Sequence, residues 1–211
     1  MPVAEIEQKS AKYADHNLNE RGRGFVYAAP ERTELFRRYV GGPGRRVLDL
    51  GCRDGALSTA YVDGNEVVGL DVDREALAQA ERLGLKTEWA DLDEPLALDD
   101  ASFDVVVAGE LLEHIHSPQA LIDEAHRVLR PGGTLVGSTP NGFRLKNRLR
   151  FAAGRHPELD PTHLHLFRAD DIRELLRGFE QPELHFVAGR FVPLHARLFA
   201  NVIVFSARKP R

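Results

Sequence analysis

"VLDLGCRDGAL", residues 47–57, decides how the rest of the chain is read. Three apolar residues around Asp49, Val47, Leu48 and Leu50, suit a strand buried on both faces. The glycine loop "GCRDG" (51–55) then turns the chain, and "AL" opens an expected helix. Strand, glycine turn and helix in this order are where an open α/β sheet holds a nucleotide. As a dinucleotide fingerprint, G-x-G-x-x-G, the positions are Gly51, Arg53 and Ala56. Arg53 puts a side chain where a pyrophosphate must approach the backbone, which argues against a nicotinamide or flavin oxidoreductase. Asp49 at the strand end would repel phosphate and attract an ammonium group. Asp71, twenty residues after Gly51, ends a second strand, where a carboxylate can accept both ribose hydroxyls. Asp91 ends a third, within reach of an adenine amino group. The three suit a nucleoside carrying a cationic amino-acid tail.

Outward from this stretch, short aliphatic runs recur: "RRVLDL", "NEVVGLD", "LKTEWAD", "FDVVVAGE" and "GTLVGSTP". They have the length and composition of strands in a doubly buried parallel sheet. Helical segments with recognisable ends lie between them. Asp73 can cap "REALAQAERLG", with Ala76, Leu77, Ala80 and Leu83 on one face and Gly84 as the stop. Ser117-Pro118 opens "SPQALIDEAHRVLRPGG", which Pro131-Gly132 ends. A third helix, "RADDIRELLRGF", precedes two further strand candidates, "PELHFVAGRF" and "ANVIVFSARK". The fold class is therefore α/β: a doubly wound, mostly parallel seven-stranded sheet with helices on both faces. Residues 1–211 read as one domain. An N-terminal helical cap covers 1–40, a ligand-binding core 45–140, a flap 141–167, and a C-terminal helix with strands 168–211.

The chain has 211 residues, 43% of them hydrophobic, enough for one substantial core. It lacks any run of about 18 apolar residues, so no membrane-spanning helix is expected. The polar start, "MPVAEIEQKSAKYADHNLNERGRG", is unlike a secretion signal, and the lone Cys52 fits a reducing cytoplasm. Charge is uneven, −10 over residues 1–140 and +6 over 141–211, giving the net −4. Arg144, Lys146, Arg148, Arg150 and Arg155 fall within fifteen residues that hold no acid. Such a run is either a solvated helix face or a cap over an anionic substrate. The acidic whole, without an aromatic–basic stripe, argues against long nucleic acid.

"VLDLGCRDG", "VVGLDVD", "WADLDEPLALDDASFDVVVAGELLEHI" and "EAHRVLRPGGTLVGSTPN" resemble successive motifs of class I S-adenosylmethionine-dependent methyltransferases, in the right order over residues 45–140. The resemblance implies a Rossmann-like methyltransferase fold and S-adenosylmethionine as cofactor. It implies that Gly51, Cys52, Arg53 and Gly55 form the loop at the methionine end and that Asp49 faces the methionine amine. Asp71 with Val72 would hold the ribose, Asp91 with Leu92 the adenine, and Glu110 would stand beside the transferable methyl. Arg53 replaces the middle glycine of the family's G-x-G-x-G. Either the backbone there needs no positive φ, or the side chain reaches the cofactor carboxylate.

Glu110, Glu113 and His114 stand at i, i+3 and i+4, so a helical turn would point all three one way. This E-x-x-E-H pattern resembles ubiquinone-biosynthesis O-methyltransferases and small-RNA 3′-end 2′-O-methyltransferases. In the latter, such residues and a downstream histidine hold a divalent ion; "HLHLF" (163–167) offers His163 or His165 for that place. The implied catalytic set is Glu110, His114, His163 and His165, and the implied set for Mg2+ or another divalent cation adds Glu113. The expected activity is O-methylation of a small polar molecule such as a sugar, anionic or polyhydroxylated, by a cytoplasmic monomer or homodimer. The chain also resembles a methyltransferase-like protein of methionine biosynthesis, for which a partner-dependent or non-catalytic role is the alternative, as is 2′-O-methylation of RNA.

Overall fold

The computed structural model describes residues 24–157 and 160–211, together with Glu7 and Ser10. Much of the N-terminal cap expected over 1–40 lies outside the described residues; its described part includes helix α1, Ala29–Val40. Seven strands form one sheet: β1 Arg46–Leu50, β2 Glu66–Asp71, β3 Lys86–Trp89, β4 Phe103–Gly109, β5 Leu129–Pro140, β6 Glu180–Val187 and β7 Val202–Arg208. Their order is β3-β2-β1-β4-β5-β7-β6. The first five run parallel, while β7 is antiparallel to both β5 and β6. This is the mostly parallel, doubly wound sheet the aliphatic runs predict.

Alternation along β1 divides the core. Val47 joins an apolar cluster with Phe36 and Val40 of α1, and with Leu77 and Ala80 of α2, Arg74–Arg82. Leu48 and Leu50 face the other side. There they pack in a cluster with Leu121, Ile122 and Ala125 of α3, Pro118–Val128, and Ile172 of α5, Ala169–Leu175. Each fully buried Leu, Ile or Phe contributes about 1.5–3 kcal/mol, so neither face can be uncovered without loss of the fold. Asp73 caps α2 as read, accepting from Glu75 N at 3.0 Å and Ala76 N at 3.1 Å.

Two local expectations are corrected. The helix expected after the glycine loop is only a 3-10 turn, Ser58–Ala60. Ser, Thr and a β-branched Val occupy its few residues before Asp63-Gly64 turns the chain, and β2 starts at Glu66, which leaves no room for an α-helix. Helix α3 ends at Val128 rather than at Pro131-Gly132, because Leu129 is already paired with Phe103 of β4. Residues 141–167 close on themselves. Asn141 and Phe167 form an isolated bridge, and Gly142 N donates to Phe167 O at 3.3 Å. Within this segment lies α4, Leu145–Ala152, which meets α6, Ala196–Phe199.

Gly137 marks the tightest packing in the sheet. A Cβ there would stand 2.7 Å from the Ala108 carbonyl of β4 and against the Phe205 ring of β7. Gly137→Ala is expected to cost about 1–3 kcal/mol through overpacking, since the carbonyl cannot step aside. Thermal unfolding followed by circular dichroism should show a midpoint about 2–10 °C lower. An unchanged midpoint would mean that the β4–β5–β7 sheet yields at this position.

Candidate active site

The carboxyl ends of β1, β2 and β4 open into a cavity of ≈ 350 Å³. Parallel pairing sets its floor, since Asp49 lies opposite Gly69 and two residues further β2 ends at Asp71. Asp49 is 3% exposed, and its Oδ2 accepts from Ser58 Oγ at 2.5 Å and from Tyr61 OH at 2.8 Å. Burial pushes its carboxyl up to about 6, with the two hydroxyl donors pulling the other way. Asp71 is likewise pushed up to about 6 by burial, although it accepts from Asp73 N at 2.8 Å and Arg53 N at 2.9 Å. Two lining carboxylates thus carry a desolvation cost that hydrogen bonds offset only in part.

The glycine loop is shaped around them. Gly51 N and Cys52 N both donate to Leu70 O, at 2.8 and 3.2 Å. Gly55 takes φ +76°, and a Cβ on it would lie 3.2 Å from the Ala80 backbone, so loop and α2 touch through a missing side chain. Arg53 itself has φ 51°, so the backbone at the family's middle glycine does need the left-handed region. An L side chain there costs roughly 1–2 kcal/mol. The Arg53 guanidinium donates to Phe25 O at 3.3 Å. Cys52 is buried beside Gly69. Burial, and then the Asp49 and Asp71 carboxylates, push its thiol well above the ordinary value, which leaves it a packing group. Val72 and Leu92 line the cavity with Asp91, whose Oδ1 accepts from Asp93 N at 3.1 Å. The Trp89 indole donates to Val72 O at 2.8 Å and Arg74 lies 3.8 Å over its ring, which fixes the wall beyond β3.

At the end of β4 the chain does not enter a helical turn. Glu110 takes φ 57°, with its N–H on Ser138 O at 2.9 Å, and a 3-10 turn follows at Leu112–His114. The single face expected for Glu110, Glu113 and His114 therefore does not form. Glu110 lines the cavity, and its buried Oε1 has no hydrogen-bond partner among the described residues. Glu113, 1% exposed, joins His114 and His163 instead: one ligand atom from each lies within 4.8 Å of the others. The flap delivers His163. Leu164 N donates to Glu113 O at 2.7 Å, and the His163 and His114 rings meet edge-on at 4.8 Å. Neither Glu110 nor His165 belongs to this cluster; His165 Nε2 instead lies 2.9 Å from Ile115 O. His114 Nδ1 stands 3.2 Å from Thr162 O, an acceptor only, which assigns the proton to Nδ1 and leaves Nε2 as the basic nitrogen.

Of the five clustered cations in 141–155, only Arg144 lines the cavity. Arg148 and Arg150 turn back to the flap backbone, at Phe143 O and His156 O, both 2.7 Å. Arg144 donates to Asn201 Oδ1, while Asn201 Nδ2 donates to Tyr27 OH at 2.9 Å.

Sequence reasoning missed Arg32. It lies on the buried stripe of α1 with Phe36 and Val40, at 3% exposure. Its Nη1 donates to Tyr27 O at 3.1 Å, it lines the cavity, and its buried Nε has no partner among the described residues. The available signal was an arginine at helical spacing from two core residues, a position where charge is costly unless a partner or ligand meets it.

A methyltransferase-domain family model matches residues 20–180. A probable S-adenosylmethionine-dependent methyltransferase of Mycolicibacterium smegmatis is 38% identical over 142 residues, covering 65% of this chain and 52% of that protein. A ubiquinone biosynthesis O-methyltransferase of Psychrobacter cryohalolentis is 35% identical over 149 residues, covering 65% and 54%. The chain thus spans about half the length of these relatives. A solved S-adenosylmethionine-dependent methyltransferase from Archaeoglobus fulgidus shares the fold, with a TM-score of 0.71 at 20% identity over 93% of this chain and 99% of that one. Sheet order, cavity position and family match converge: the chain belongs to the methyltransferase-domain family, within the class I S-adenosylmethionine-dependent superfamily.

Proposed function

We propose that the protein transfers the methyl group of S-adenosylmethionine to a hydroxyl of a small polar acceptor, anionic or polyhydroxylated, such as a sugar. The observation that carries this reading is the Glu113–His114–His163 cluster, two of whose residues line a cavity floored by buried Asp49 and half-buried Asp71. In the cofactor half, Asp71 would accept the ribose hydroxyls and Asp49 would face the methionine ammonium. Arg32 would meet the methionine carboxylate, and Asp91 with the Leu92 backbone the adenine. Gly51, Cys52, Arg53, Gly55 and Val72 shape the surrounding wall. Glu110, with one buried oxygen lacking a partner among the described residues, has capacity for a donor on the ligand.

The reaction is an in-line displacement. Bound S-adenosylmethionine would supply an activated methyl group to the acceptor oxygen, with the carbon–sulfur electron pair returning to sulfur and the hydroxyl proton passing to a base of this chain. The cofactor carries the activation, so the chain must align the acceptor, exclude water and receive that proton. Arg144 at the acceptor end suits an anionic substrate. The flap, pinned at Asn141 and Phe167, would keep water from the transfer path.

One carboxylate and two imidazoles at mutual ligand distance are a donor set that fits a divalent cation, and Glu113, His114 and His163 would hold it. Bound there, a cation would lower the pKa of the acceptor hydroxyl. The His114 Nδ1–H on Thr162 O keeps its other nitrogen aimed as a ligand or a base, but one nitrogen cannot serve as both at once. The homologues named ubiquinone O-methyltransferases support oxygen as the methyl acceptor. The lone, buried Cys52 suits a reducing cytoplasm.

Two experiments test this reading. Asp71→Ala should weaken S-adenosylhomocysteine binding about a hundredfold or more, because two hydrogen bonds to a charged group contribute about 1.5–3 kcal/mol each. Unchanged affinity by calorimetry would put the ribose elsewhere. Exhaustive chelation should abolish turnover of a hydroxylated acceptor, and magnesium, manganese or zinc should restore it. His114→Ala should lower kcat about a hundredfold or more in the restored enzyme. Full turnover after chelation would remove the metal and leave His114 as a general base.

A further inference from the structure

Phe25, Val26 and Tyr27 line the same cavity as Asp49, Asp71 and the glycine loop, and polar contacts hold the segment Gly24–Tyr27 there. Gly24 N donates to Asp54 Oδ2 at 2.6 Å, and Phe25 O accepts from Arg53 Nη1 at 3.3 Å. Tyr27 O accepts from Arg32 Nη1 at 3.1 Å, and Tyr27 OH accepts from Asn201 Nδ2 at 2.9 Å. Phe25 and Tyr27 line the cavity yet remain 48% and 42% exposed, so apolar burial holds the segment only in part. Two of the four contacts come from adjacent residues of the glycine loop, the element that also carries the Arg53 N–H donor of Asp71.

Arg53 is the residue whose presence there calls for a reason. It occupies a left-handed conformation with φ 51°, which glycine adopts freely and an L side chain adopts at a cost. Its side chain donates to the carbonyl of Phe25, a residue that lines the same cavity from a segment 28 positions earlier in the chain. We propose that Arg53 is a positioning residue that latches the segment Gly24–Tyr27 over the bound cofactor and so sets how fast the product S-adenosylhomocysteine leaves. This rests on the cofactor reading of the cavity. Arg53 acts through the strap, not on the reacting atoms. Opening the strap requires the Arg53 and Asp54 contacts to break, while the Arg32 contact keeps the segment's other end near α1 as a hinge.

The test compares the full chain with Arg53→Gly and Arg53→Lys. Arg53→Gly relieves the backbone strain and removes the latch, so it should fold at least as stably as the wild type. Product release, followed by stopped-flow displacement of S-adenosylhomocysteine, should be about tenfold faster or more, the loss expected for one hydrogen bond from a charged donor. Amide hydrogen exchange over residues 24–28 of the ligand-free variant should also be faster. Arg53→Lys keeps a cationic donor and should restore both readouts towards the wild type. Release and exchange within twofold of wild type in Arg53→Gly would overturn the latch. Faster release with unchanged exchange in the ligand-free chain would overturn it too, by making Arg53 a direct cofactor contact. A wild type that binds no S-adenosylhomocysteine would defeat the cofactor reading instead, and exchange in the free chain would then decide the latch alone.

Discussion

Two carboxylates near the ends of adjacent parallel strands, Asp49 buried and Asp71 half-buried, set the terms for the loop around them. Asp49 and Asp71 are both pushed up to about 6 by burial, a shift that makes their ionised forms costly in the free protein. The 3-10 turn after the glycine loop supplies Ser58 to Asp49, and Tyr61 follows directly behind it. The loop turns left-handed at Arg53, and the amide of that residue reaches Asp71. Loop shape and turn type here follow from satisfying two anions. Under the proposed reading, a ligand with a cationic tail and paired hydroxyls would complete what the protein's own donors leave undone.

The histidine cluster, where we propose the acceptor sits, is assembled differently, from segments far apart in the chain. The end of β4 contributes Glu113 and His114 through a tight turn, and the flap contributes His163 by docking its backbone on the Glu113 carbonyl. Thr162 holds the His114 ring from the same flap. The Glu113–His114–His163 cluster therefore depends on how this segment docks, and the Asn141–Phe167 bridge ties its two ends to each other. Tyr27, Asn201 and Arg144 connect the segment Gly24–Tyr27 with the start of α4, so both line one continuous wall of the cavity.

Most of the sheet was legible because buried strands need aliphatic runs, as β1, β2, β4 and β7 have, whereas β3 is polar and alternately exposed. Asp49, Asp71 and Asp91 were legible because strand ends in such a sheet face the ligand crevice. The E-x-x-E-H motif was misread in geometry: period 3.6 assumes a helix, and Glu110 in the left-handed region breaks that period at its first residue. The choice between His163 and His165 depends on how the flap docks, a long-range contact that spacing cannot express. Arg32 was overlooked because an arginine in "APERTELFRRYV" passes for a solvent-facing residue until the sheet shows which stripe is buried. The basic run 144–155 divided: Arg144 faces the cavity, whereas Arg148 and Arg150 bind their own segment.

The state of the two carboxylates is open to direct measurement. Because the folded protein holds protons on Asp49 and Asp71 up to about pH 6, well above the ordinary carboxylate value, the folded state binds more protons than the unfolded one between about pH 4 and 6. Stability of the free protein from this source falls as pH rises through that window, and ionisation above it must be recovered by a ligand. Calorimetry of S-adenosylhomocysteine binding in buffers of different ionisation heat reads the protons exchanged. At pH 5 binding should release about one to two protons, falling towards zero by pH 8, with affinity rising across the same range. Binding whose heat does not depend on the buffer, and whose affinity is flat from pH 5 to 8, would contradict the placement of the cofactor on these two residues.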